Sequence, residues 1–275
     1  MIQRWRAAIF CGLLAQGAAL AQTGSGLLHD FVVPDRASPP YPVVVLLHGC
    51  NGIDANVPMW QQFLATQGYA SVVVDSFRRR NIQEICTDFR RLPMPERVND
   101  AYTALNELTQ RPDVDAQRVA VMGFSNGAVA TLSALTSTVT VQLPKTHARF
   151  RGGIAVYPEC GPYAYATFTQ PILVLAGESD DWTPAAPCLA LSQKLAQRQP
   201  KFETLVYPNA HHGFDIPGLA YRYLGNVANF NKRNGYGATV EGNDKARLQA
   251  TQDVAIFLAQ VLKASGQPPP PAPSQ

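Results

Sequence analysis

The chain has 275 residues, of which 46% are hydrophobic and 16% charged, enough to bury one large core. Its formal net charge is only +3, and no basic stripe appears beyond Arg78-Arg79-Arg80, so a nucleic-acid partner is not expected. No apolar run reaches the roughly 20 residues that a membrane span requires.

The first residues carry an address. Arg4 and Arg6 precede the apolar run Ala7 to Leu20, which ends in the small-x-small pattern Ala19-Leu20-Ala21. This order of charge, short apolar stretch and cleavage site predicts a secretory signal peptide over residues 1–21, cut after Ala21. Loss of Arg4 and Arg6 takes the net charge from +3 to +1. The mature chain is expected to be soluble and periplasmic or secreted. Its four remaining cysteines, Cys50, Cys86, Cys160 and Cys188, are an even number in an exported chain, which argues for two disulfides. Cys50 with Cys86 and Cys160 with Cys188 are the favoured pairs, since each would join loops that follow strands on the same edge of a sheet. The cysteine and histidine spacings do not match a zinc site, and no metal is expected.

In chain order, Leu27 to Val33 reads as an opening edge strand and Pro42 to Leu47 as a short strand buried on both faces. A helix is expected over Met59 to Gln67 and a second buried strand over Tyr69 to Asp75. Pro95 to Gln110 places Val98, Ala101, Leu105 and Leu108 on one helical face. Arg118 to Gly123 is a strand and Asn126 to Leu135 the helix after it. Further strands fall at Gly153 to Tyr157, Pro171 to Ala176 and Phe202 to Tyr207, and helices at Pro187 to Gln197 and Asp244 to Leu262. This alternation predicts an α/β fold with a mostly parallel central sheet and helices on both faces. Residues 265–275 are too rich in proline to join a core and read as a disordered tail.

The chemistry centres on Gly123-Phe124-Ser125-Asn126-Gly127, a G-x-S-x-G sequence between a strand and a helix. Such a sharp turn holds the serine in a strained position with its hydroxyl exposed at the sheet edge, making Ser125 the candidate nucleophile. An acid-bearing loop, Glu178-Ser179-Asp180-Asp181-Trp182, and a histidine-bearing loop, His211-His212-Gly213-Phe214, follow later strands in the order Ser, acid, His. His212 is the candidate base and His211 its neighbour. Asp180 is the preferred carboxylate to orient the base, with Asp181 and Glu178 as competitors. The backbone N–H groups of Asn126 and of Cys50, in the loop after the strand ending at Leu47, are the expected oxyanion donors. His48 in that loop reads as a structural hydrogen-bonding residue. Phe77 and Trp182 are candidate linings of an apolar substrate pocket.

Together, Val44-Leu-Leu-His-Gly-Cys-Asn-Gly52, Val74-Asp-Ser-Phe77, the elbow around Ser125, Gly177-Glu-Ser-Asp180 and His212-Gly-Phe214 resemble the dienelactone hydrolase family of the α/β-hydrolase superfamily. The resemblance implies an α/β-hydrolase domain over residues 22–264 and a triad of Ser125, Asp180 and His212. Three positions depart from the family pattern: Ser125 replaces a cysteine, Gly49 a glutamate, and Ile216 an arginine four residues after the histidine. Arg79 or Arg80 is a candidate for the other positive position of the family's substrate site. The implied activity is hydrolysis of a small carboxylic ester through an acyl-enzyme, with no cofactor. A peptidase of the same fold and a non-catalytic exported binding protein are the competing readings.

Overall fold

The computed structural model describes residues 25–143, 148–198 and 200–263. The expected signal peptide and Pro-rich tail lie outside the described residues. A seven-stranded sheet forms the centre, in the order β1-β3-β2-β4-β5-β6-β7. These strands are β1 (Leu28–Val32), β2 (Tyr41–Leu47), β3 (Ala70–Val74), β4 (Val114–Phe124), β5 (Gly153–Val156), β6 (Ile172–Gly177) and β7 (Phe202–Tyr207). Only β1 runs antiparallel to its neighbour.

The uniform apolar runs are explained by cover on both faces. Successive side chains of a strand point to opposite sides. Val43, Val45 and Leu47 accordingly enter one buried cluster, whereas Val44 and Leu46 enter another. The first cluster is capped by α2 (Met94–Leu108), α3 (Asn126–Leu135) and α5 (Ala185–Leu195), the second by α1 (Asn56–Thr66) and α6 (Asp244–Val261). The short α4 (Ser137–Gln142) follows α3 and is N-capped by Thr136, whose hydroxyl accepts the Val139 N–H.

Beyond the unanticipated α4 and shifts of one or two residues at element ends, three differences from expectation stand out. α1 begins at Asn56 rather than Met59, because Pro58 is tolerated within a first helical turn, where its missing N–H would have no intrahelical acceptor. β4 begins at Val114, four residues before the expected start at Arg118, and its pairing with β2 shifts register in that extension. The third difference is an antiparallel hairpin of β8 (Arg222–Ala228) and β9 (Tyr236–Val240). Neither strand carries a long apolar run. Val227, Ala238 and Val240 are instead buried against Cys50, Cys86 and Trp182, so tertiary contact with the sheet's loops sustains the hairpin.

Both cysteine pairs form as favoured, Cys50 with Cys86 and Cys160 with Cys188. Among the described residues, no helix is long and apolar enough to cross a membrane, and no group of three or more His, Cys, Asp or Glu is placed to hold a metal ion.

Candidate active site

The carboxyl ends of parallel strands are where such a sheet presents functional loops. β4 ends at Phe124 and α3 begins at Asn126, leaving Ser125 alone at the turn with φ 51° and ψ −116°. A non-glycine residue at positive φ costs about 1–3 kcal/mol, so it must be held. The Ser125 N–H donates to the Val156 carbonyl at 2.9 Å, and the Ser125 carbonyl accepts from the Val129 N–H at 3.0 Å. Gly123 and Gly127 are required by space: a Cβ at Gly123 would collide with the Gly127 carbonyl, and one at Gly127 with the carbonyls of Leu47 and His48.

The loops after β6 and β7 meet at this serine. Asp180 is buried, and its Oδ1 accepts the backbone N–H groups of Trp182 and Thr183, each at 2.9 Å. Its Oδ2 lies 2.8 Å from His212 Nδ1, and His212 Nε2 lies 3.0 Å from Ser125 Oγ. With a carboxylate as its only role, Asp180 makes Nδ1 the protonated nitrogen, which leaves Nε2 to accept from the serine hydroxyl. The Thr183 hydroxyl, 3.0 Å from Asp180 Oδ2 and from the Tyr157 carbonyl, braces the carboxylate. The competing groups are turned elsewhere. Asp181 accepts from Lys232 Nζ at 2.8 Å and from the Thr239 N–H at 2.7 Å, Glu178 caps the Asn209 N–H, and His211 lies 3.8 Å from Glu241.

The loop after β2 faces the elbow. His48 is fully buried; its Nε2 accepts the Ser76 N–H at 3.3 Å, so its Nδ1 donates to the Gly49 carbonyl at 2.8 Å. Burial, with Arg97 nearby, pushes its pKa down to about 3, which keeps the ring neutral and structural. Gly49 bridges to Gly52, and the Cys50 carbonyl accepts the Ile85 N–H at 2.8 Å. The disulfide to Cys86 ties this loop to the segment after β3.

Arg97, on α2, was not singled out by sequence reasoning. It is 1% exposed; Nη2 donates to the His48 carbonyl and Nη1 to Asn126 Oδ1, each at 2.7 Å. Burial lowers its pKa to about 10, still far above neutrality. The signal was in the helix pattern, since Arg97 lies one turn before Ala101 on the inward stripe. A second unanticipated group is Asp215, three residues after His212. This buried carboxylate accepts from Tyr157 OH at 2.6 Å, Trp60 Nε1 at 2.7 Å and Asn56 Nδ2 at 3.0 Å. Burial raises its pKa, the three donors opposing that shift. Tyr157 and Trp182 flank the His212 ring, with centroids 4.5 and 4.7 Å away.

Of the two aromatic pocket candidates, Trp182 lines the cavities beside Ser125 and Phe77 lines neither. Phe77 packs beneath the loop instead, its ring 4.4 Å from that of His48 and 5.8 Å from the Arg97 guanidinium carbon. Being buried and apolar at a strand end suits packing as well as binding, which is why sequence did not separate the two. Arg79 and Arg80 also face away from the cavities. Arg79 donates to the Ser25 carbonyl, and Arg80 forks onto Asp100 at 2.7 and 2.9 Å.

A parallel sheet with Ser125 at an elbow, followed in chain order by an acid and a histidine, defines an α/β-hydrolase. The family model of the dienelactone hydrolase family matches residues 30–262, and the chain belongs to that family. It is 24% identical over 181 residues to a Bradyrhizobium protein named "Probable 2-oxo-3-(5-oxofuran-2-ylidene)propanoate lactonase", covering 63% of this chain and 73% of that one. The fold is shared with the thermophilic esterase Est2 of Thermogutta terrifontis in its butyrate-bound form, with a TM-score of 0.62 at 16% identity over 88% of this chain and 91% of that one. The same esterase phosphorylated by paraoxon superposes with a TM-score of 0.59 at 15% identity, over 84% and 87% of the two chains. The protein is a hydrolase of the carboxylic-ester class.

Proposed function

We propose that the protein is an exported serine esterase that works through an acyl-enzyme on Ser125. The observation that carries this reading is the continuous line from Asp180 Oδ2 through the His212 ring to Ser125 Oγ, at 2.8 and 3.0 Å. His212 takes the Ser125 proton as Oγ attacks the ester carbonyl, and Asp180 stabilises the imidazolium that results. The Cys50 and Asn126 N–H groups hold the oxyanion. Asn126 is the first residue of α3, where helical geometry leaves its N–H without an intrahelical acceptor. Collapse of the intermediate breaks the bond to the alkoxy oxygen, which takes the proton from His212. Water, deprotonated by His212, then attacks the acyl carbon, and the proton returns to Ser125.

Export rests on the N-terminal sequence over residues 1–21 and on two disulfides, which persist in oxidising compartments. The mature domain is then residues 22–264. A fluorophosphonate probe with peptide mapping tests the nucleophile. One adduct on Ser125, absent in Ser125→Ala, is expected; folded wild type without an adduct returns the protein to the binding-protein reading. A matched ester and amide of one acyl group separate esterase from peptidase.

A further inference from the structure

Two cavities meet at Ser125 and Trp182, and their linings differ in kind. The larger, about 330 Å³, is lined by His212 and the Gly49-Cys50 loop and extends to Asp54, Glu84, Arg222 and Asn226. The smaller, about 210 Å³, is walled by Phe89, Leu92, Met94, Val129 and Phe230. Among the described residues lining the smaller one the single charged group is Glu159, whose carboxylate accepts from Asn231 Nδ2 at 2.6 Å at the same rim.

We propose that the smaller cavity is the acyl slot and that the preferred substrates are esters of uncharged, aryl-bearing acids, with the alcohol seated in the larger cavity. This rests on the serine-esterase reading above. Size limits the occupant: an apolar cavity of about 150 Å³ accepts benzene, so the slot holds one ring and a short linker to the carbonyl. The lining favours that ring. Phe89 and Phe230 lie 5.7 Å apart at 45°, and Phe230 is 81% exposed, an aromatic face that folding leaves uncovered.

Charge narrows the class further. A second carboxylate on the acyl group would enter a slot whose one charge is Glu159 and which offers no cation. The larger cavity differs: its described lining holds Arg222 along with Asp54 and Glu84, and Ile216 and Leu219 add aliphatic wall. The direction of binding follows from proton transfer. His212 lines the larger cavity and not the smaller, and the leaving alkoxy oxygen must lie beside His212 to receive its proton.

The isomeric esters methyl 3-phenylpropanoate and 2-phenylethyl acetate test this directly, because they place the same ring on opposite sides of the carbonyl. With purified mature protein in a proton-release assay, kcat/KM for methyl 3-phenylpropanoate should exceed that for 2-phenylethyl acetate and for methyl butyrate by about tenfold or more. Monomethyl succinate should fall below methyl butyrate. Phe230→Ala, a truncation at an exposed position, should shrink the preference of methyl 3-phenylpropanoate over methyl butyrate at least several-fold, with the melting temperature as the check on folding. Equal rates for the two isomers, or a preference that survives Phe230→Ala undiminished, overturns the slot assignment while turnover of methyl butyrate leaves the esterase reading standing. No turnover of any ester and no fluorophosphonate adduct on Ser125 sinks both.

Discussion

Arg97 Nη1 donates to Asn126 Oδ1 at 2.7 Å, and the same guanidinium, through Nη2, holds the His48 carbonyl. One buried cation therefore joins the Ser125 elbow to the loop after β2 that carries Cys50. Arg97 touches no cavity beside Ser125, so it acts by positioning. On the proposed mechanism, Arg97→Met should lower kcat for a small ester by about 10- to 100-fold with KM changed far less, since the oxyanion donors proposed on these two segments act in the transition state. Arg97→Lys, a point charge that cannot fork to both acceptors, should recover little of the loss. Steady-state kinetics on the two variants checks this, and a change confined to KM would refute it.

Asp180 and Asp181 are neighbours with different partners, His212 for the first and Lys232 and Thr239 for the second. Asp180→Asn should reduce kcat by about 10⁴-fold, because an amide favours the wrong imidazole tautomer. Asp181→Asn should leave kcat within a few-fold and lower the melting temperature, as it weakens the contacts of the loop with Lys232 and Thr239 on the hairpin side. If the two variants exchange these phenotypes, the orientation of His212 has been misassigned.

His48 ties stability to pH. Its pKa is depressed from the ordinary 6.5 to about 3, so in acid the unfolded chain takes up a proton that the folded chain refuses. The contribution is complete above pH 6.5 and is lost as pH falls towards 3. Between pH 6.5 and 4 the unfolding free energy should drop by about 3 kcal/mol from this group, at about 1.4 kcal/mol per pH unit. Denaturant unfolding across that range measures the slope, which should be shallower in His48→Gln.

The Cys50–Cys86 bond closes a loop of 36 residues, for which chain entropy alone predicts about 4 kcal/mol of stabilisation. Cys50→Ser with Cys86→Ser should therefore lower the unfolding free energy and, on the proposed oxyanion role of the Cys50 N–H, kcat as well, because the loop after β2 loses its anchor. Loss of stability with full kcat would show that Arg97 and His48 hold the loop without the disulfide.

What the amino-acid order settles here is local. A short β-branched run bounded by turn residues, such as Val43 to Leu47, reads as a strand covered on both faces, and Gly-x-Ser-x-Gly after such a run reads as a sharp turn into a helix. Ser125 at the turn and the order of the acid and histidine loops followed from that, whereas the cysteine pairing was only favoured among three and closes in the structure. The tertiary structure decided what depends on direction. Asp180 and Asp181 are chemically identical, and only the turn of the loop after β6 sends one to His212 and the other to Lys232. Phe77 and Trp182 are both buried aromatics, yet one supports a loop and the other lines the cleft. Arg97 and the β8–β9 hairpin were hidden for the same reason. A buried arginine finds its acceptors, and a short weakly apolar hairpin its stability, in segments distant along the chain and adjacent only once the sheet has formed.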